Sequence, residues 1–166
     1  MPPVTLIAVA ATAVLSAAID LRTRRIPNVI TMSAAGLGLL MAAAGWSGIS
    51  VGAALGGFAV GMLCMLPGHL LGRTGGGDVK LFAALGAMLG PDRIFIAFLY
   101  TAICGGLLAV VYAVLRGRLH ATLSRTGRLI VRPSEAKTEI EAPMRGNTFP
   151  YGPAIAAGAM LVALGF

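Results

Sequence analysis

The chain has 166 residues, 57% of them hydrophobic and only 11% charged, and a mean hydropathy of +0.87, too apolar for a soluble domain of ordinary make-up. Its 13 Lys and Arg against 6 Asp and Glu give a net charge of +7, and its 23 Gly sit within apolar runs, where membrane helices use small residues to approach one another. Long disorder is excluded, and the composition predicts an all-α integral membrane protein, read as a single domain over residues 1–166.

The first apolar run, Val4 to Ile19, leads into Asp20 and the basic cluster Arg22, Arg24 and Arg25. No Lys or Arg precedes it, the reverse of a secretory signal, so it is read as a retained span. Further runs at Val29 to Gly45, Val51 to Leu71, Ile94 to Leu115 and Pro150 to Phe166 approach or reach the roughly 20 residues that cross a bilayer. The remaining run, Val79 to Gly90, is fourth in order and would rise only about 18 Å as a helix.

Charge placement decides whether this short run crosses. If it does, twelve of the thirteen Lys and Arg share one side, with Arg93 alone opposite. If it re-enters, they divide six against seven. The positive-inside bias therefore predicts six spans, both termini outside, and three basic cytosolic loops.

The largest of these loops, 116–148, carries Leu119, Leu123, Leu129 and Ile130 at roughly helical spacing among Arg118, Arg125 and Arg132, until Pro133 interrupts the pattern. An amphipathic helix on the inner leaflet and a solvated basic loop both suit it. Glu135, Glu139 and Glu141 beyond it suggest a mobile linker.

Cys64 and Cys104 lie separately in apolar runs, so there is no CxxC pair or zinc knuckle, and His69 and His120 are too isolated to suggest a metal site. Ionisable residues at span ends are the functional candidates, because an unpaired charge there is costly. Asp92, in the outer Pro91-Asp92-Arg93 turn, is explained as a helix N-cap. Asp20 ends the first span and Asp78 immediately precedes the fourth, which places both at the inner face. Two carboxylates brought together there cannot both ionise cheaply, so one keeps its proton and the other is left as a base that can activate water. The bland alternative pairs Asp20 with Arg22 or Arg24 and Asp78 with Lys80.

Gly75-Gly76-Gly77, directly before Asp78, would permit positive φ and the close approach of an extended peptide. The stretch lacks the ending of a phosphate-binding loop, and its acid would repel phosphate.

With these residues in view, the chain resembles the prepilin peptidases, membrane aspartyl proteases with a GxGD motif, in the short CpaA/TadV-like form that serves Flp-type pili. Ala18-Ile19-Asp20-Leu21-Arg22 with Arg25-Ile26-Pro27-Asn28 is similar to the first motif of that family. Gly75-Gly76-Gly77-Asp78-Val79-Lys80-Leu81 is similar to the second, and Phe149-Pro150-Tyr151-Gly152-Pro153 to the signature of its last span.

The resemblance implies cleavage of the leader peptide of prepilins and pseudopilins at the cytosolic surface of the bacterial inner membrane, with Asp20 and Asp78 as the catalytic pair. Gly75, Gly77, Lys80, Pro27, Asn28, Pro150, Tyr151 and Gly152 are the supporting residues. Larger members carry a tetracysteine zinc region and also methylate the new N-terminus; here there is neither room nor the cysteines, so peptidase activity without methyl transfer is expected. Presenilin-type relatives set their first aspartate in a Tyr-Asp pair, whereas Asp20 follows Ile19, which argues against cutting inside the bilayer.

No metal or organic cofactor is expected. The partners implied are the prepilin substrate, membrane lipids and the pilus-assembly machinery, and no nucleic acid. Pro27 and Pro150 suit helix starts. Tyr151 is either a ligand of the aspartates or an interface anchor, and Lys80 either neutralises the pair or anchors its helix. The competing function classes are a proton-coupled transporter, which would need mid-membrane acids and repeated halves, and a non-catalytic subunit of a pilus assembly.

Overall fold

In the computed structural model the described residues are 1–24, 26–71, 74–115 and 151–165. Among them are six helices and no strand: α1 (Pro3–Thr23), α2 (Asn28–Ala43), α3 (Val51–Leu70), α4 (Gly76–Leu89), α5 (Pro91–Leu115) and α6 (Gly152–Leu164). The described residues are thus all-helical, with the apolar helices of a polytopic membrane protein. α1, α3 and the Pro91–Val111 stretch of α5 are long and apolar enough to cross a membrane, and α2 and α6 are shorter apolar helices. By its contacts the chain forms two compact units, Met1–Gly105 with Pro150–Phe166, and Gly106–Phe149; of the second, only the end of α5 is described. The basic loop expected at 116–148 lies outside the described residues.

α4 is the centre of the first unit. Its fourteen residues rise about 21 Å, and Leu81, Phe82, Ala83, Ala84, Leu85 and Ala87 are fully buried. A helix apolar on every side belongs inside a bundle, and α4 packs against α3 and α2, with α1 and α6 completing the enclosure. Enclosure by protein accounts for its length, since a helix with little lipid contact has no need to match the bilayer.

Glycines set the distance between these helices. A Cβ on Gly57 of α3 would collide with the carbonyl oxygen of Gly86 and lie 2.8 Å from Gly90, and one on Gly61 would lie 2.7 Å from the carbonyl oxygen of Phe82. Gly57 and Gly61 are one turn apart, the spacing that lets helix backbones meet in membranes. On the outward faces Val4, Ile7, Val14, Met32, Leu55, Leu63 and Ile103 are exposed, as lipid-facing positions are.

The chain ends match their local chemistry. Ser50 caps α3 by accepting from the Ala53 N–H at 3.1 Å. Gly90 closes α4 with φ 83°, a left-handed value glycine adopts without a Cβ clash. α5 then opens on Pro91, so Asp92 sits inside the first turn rather than capping it, a correction to the sequence expectation; its charge there complements the helix dipole.

Candidate active site

The buried residues of α1 recur at three- and four-residue steps: Thr5, Val9, Thr12 and Ala13, Ser16, Asp20. The stripe therefore turns Asp20, in the last turn of the helix, inward against α6, the helix that α1 packs on most. There Oδ2 accepts the Gly152 backbone N–H at 2.9 Å. Gly152 is the first residue of α6, where backbone N–H groups lack partners within the helix and the dipole favours an anion. Its lack of a side chain is required, because a Cβ would lie 2.8 Å from both Cβ and Oδ2 of Asp20.

Asp78 is the third residue of α4, one position ahead of the apolar segment Val79–Gly90 and so outside the spanning stretch. Its Oδ2 accepts the Gly75 N–H at 3.1 Å, the carboxylate half of a capping box. Burial, and then the Asp20 carboxylate, push its acid up from 3.8 to about 6, against the opposing bond from Gly75. Asp20, Asp78, Arg24, Ile26 and Gly75 to Gly77 line one cavity of about 240 Å³. The two aspartates, 58 residues apart in sequence, meet at one end of the bundle as the span count required.

Neither acid takes the ion-pair partner that the bland reading offered. Lys80 donates instead to Oδ1 of Asn28 at 2.9 Å, tying the first turns of α4 and α2 together. Of its two sequence roles, anchoring is therefore the one with a contact. Pro27 is the N-cap of α2, with φ −63°, just ahead of the helix it was expected to start. Tyr151 is the N-cap of α6 and its ring lies against α5, where a Cβ on Gly105 would meet the phenol oxygen at 3.1 Å. Pro150 lies outside the described residues.

The glycine stretch needs correction. None of Gly75, Gly76 and Gly77 has positive φ, since Gly76 and Gly77 already belong to α4 and Gly75 is its N-cap in an extended conformation. What these positions supply is close approach: a Cβ on Gly77 would lie 3.2 Å from Cβ of Ile26, and one on Gly76 would lie 3.5 Å from the His69 ring.

Two lining or supporting residues escaped the sequence reading. Ile26 is buried within an otherwise basic connection, and its apolar character among Arg24, Arg25 and Pro27 was the available signal. His69, at the end of α3, reaches the Thr74 carbonyl oxygen through Nδ1 at 3.0 Å and so closes the connection into α4. Arg24, which the sequence offers as part of the basic cluster and as an ion-pair partner of Asp20, lines the cavity as well. Among the described residues, no group of three or more His, Cys, Asp and Glu is placed to hold a metal, and Cys64 and Cys104 are free and half-buried.

Comparison with known proteins places these features in a family context. The model of the type IV leader peptidase family matches residues 7–110, a stretch that contains both aspartates. A prepilin leader peptidase/N-methyltransferase from Bacillus subtilis (strain 168) is 33% identical over 93 residues, which are 56% of this chain and 27% of that protein. The match therefore spans about a quarter of the relative's length. No solved structure matches.

Proposed function

The chain belongs to the type IV leader peptidase family, and on that premise we propose that it is an aspartyl endopeptidase. It removes the leader peptide of Flp-type prepilins at the cytosolic face of the bacterial inner membrane, and it does not methylate the new N-terminus. The observation that carries this reading is the pair of buried acids, Asp20 and Asp78, on one cavity, each oriented by a backbone N–H from a helix start.

In the proposed reaction Asp78, whose proton burial favours, donates to the carbonyl oxygen of the scissile peptide while the Asp20 carboxylate takes a proton from water. The hydroxide formed adds to the carbonyl carbon and gives a neutral gem-diol. As this collapses, Asp20 passes its proton to the departing nitrogen and Asp78 recovers one from a gem-diol hydroxyl, which restores the starting state. No acyl-enzyme forms. Asp20, fixed at one oxygen by Gly152, and Asp78, fixed at one oxygen by Gly75, each keep the other oxygen for this exchange.

Support for the finer claims comes from the sequence. The distribution of basic residues favours an inner location for the aspartates, and two widely separated cysteines cannot form the tetracysteine site of the methylating members. Prepilins and pseudopilins are then the substrates, with the pilus-assembly machinery and inner-leaflet lipids as further partners.

The test is co-expression with an Flp-type prepilin from the same genome, reading leader removal and N-terminal methylation by mass spectrometry. Cleavage to an unmethylated N-terminus by the wild type, lost in membrane-inserted Asp20→Asn and Asp78→Asn, is the expected result. Cleavage that survives either substitution overturns the proposed pair.

A further inference from the structure

Helix hydroxyls commonly bond back to a carbonyl one turn earlier, as Thr23 does to Ile19 at 3.0 Å and Ser33 to Val29 at 2.6 Å. Ser16 of α1 does not. The residue is fully buried and its Oγ has no hydrogen-bond partner. A hydroxyl taken out of water without a bond is destabilising, so an unused donor kept at this point invites a role beyond filling space.

Ser16 lies on the inward stripe of α1, four residues before the buried Asp20. Residues at that spacing share a helix face with their Cβ atoms about 5–6 Å apart, and Cα–Cβ bonds tilt towards the N-terminus, which inclines Asp20 towards the turn of Ser16. A serine oxygen extends into that gap from one side and a carboxylate from the other, and a change of rotamer at the single χ1 of Ser16 aims the hydroxyl along it. The bond from the Gly152 N–H fixes Oδ2 of Asp20 at one point and leaves the carboxylate plane able to swing about the Cβ–Cγ bond. A second donor, coming from α1 itself, stops that swing. An ionised carboxylate has about four acceptor positions, so two donors still leave room for the attacking water.

We propose that Ser16 is a positioning residue for the reaction: its hydroxyl donates to the Asp20 carboxylate and, with the Gly152 N–H, fixes the orientation in which that carboxylate takes the proton from water. The inference rests on the peptidase reading and deepens it by naming what aims the base.

The experiment measures kcat and KM for leader removal with the full chain in detergent and an Flp-type prepilin, alongside thermal unfolding. Ser16→Ala is expected to lower kcat about tenfold or more with KM little changed, as loss of a bond to a charged group made in the reacting state predicts. Ser16→Thr keeps the hydroxyl but adds a methyl to a packed site, so it should retain more of the rate than Ser16→Ala. A position that matters only for packing gives the reverse order, because alanine fits the space and relieves an unbonded hydroxyl. Thr5→Ala is the control: it deletes another fully buried hydroxyl without a partner on the same stripe, about 22 Å along the helix from Asp20, and should cleave at the wild-type rate.

A Ser16→Ala enzyme as fast as the wild type overturns the proposal. So does a Ser16→Thr enzyme slower than Ser16→Ala, or a Thr5→Ala enzyme slowed as much. A wild type that cleaves no prepilin overturns the peptidase reading itself, and this inference with it.

Discussion

Replacing Gly152 by alanine puts the geometry of the proposed pair to its hardest trial. The new methyl would stand 2.8 Å from Cβ and Oδ2 of Asp20 and 3.1 Å from Cγ. Carbon atoms in ordinary contact are about 3.5–4.0 Å apart, so the two residues must separate by roughly 1 Å. Rotation of the Asp20 side chain cannot provide this, because Cβ stays in place as χ1 turns. The ends of α1 and α6 must therefore move apart, and the 2.9 Å bond from the Gly152 N–H lengthens with them. A displacement of about 1 Å in a reacting group costs on the order of 10²-fold in rate, and overpacking of this kind costs about 1–3 kcal/mol of stability. The expected outcome is a folded protein whose kcat for leader removal falls about 100-fold with KM little changed, measured by mass spectrometry on purified enzyme and prepilin. Gly36→Ala is the control, since nothing lies within 4 Å of that position. A Gly152→Ala enzyme as fast as the wild type would refute the argument that the start of α6 positions Asp20.

Because Asp78 must be protonated to donate and its acid is raised to about 6, kcat/KM should fall as pH climbs through that value. A profile flat through that range would contradict proton donation by Asp78. Gly57→Ala should cost more than Gly36→Ala, since its methyl meets backbone atoms of Gly86 and Gly90 that cannot rotate away; loss of the monodisperse folded species in detergent is the readout, and unchanged thermal stability would count against the α3–α4 crossing. Asn28→Ala and Lys80→Met each remove one end of the 2.9 Å link between α2 and α4. The double variant should be no less stable than the worse single one, and fully additive losses would show that the link does not act as a pair.

The sequence was most informative where chemistry and topology coincide. Asp20 closes the first apolar run and Asp78 follows the third, so reading each of those runs as a crossing already puts both acids on one face, and they do line one cavity. Less legible were the helix limits. α1 runs past its apolar stretch through Asp20 to Thr23, and α4 starts ahead of its own at Gly76, because a first or last turn tolerates polar residues that hydropathy reads as loop. The same blind spot misassigned the glycines before Asp78, whose use is to let Ile26 and His69 come close rather than to turn the chain. The hydrogen bond from Gly152 to Asp20 joins residues 132 apart and involves a backbone donor. No side-chain pattern advertises such a bond.

The shortness of α4 bears on how the protein meets membranes of different thickness. Lipid-exposed helices answer a thinner or thicker bilayer by tilting or by deforming it. α4, enclosed by its neighbours and locked to α3 at Gly57, Gly61 and Gly86, takes its depth from those contacts rather than from acyl-chain length. Asp78 travels with α4, and through Gly152 and α6 Asp20 is held within the same packed unit. The spacing of the two acids is thereby set by helix contacts, and a change of bilayer thickness is expected to shift where the bundle sits more than the distance between its acids.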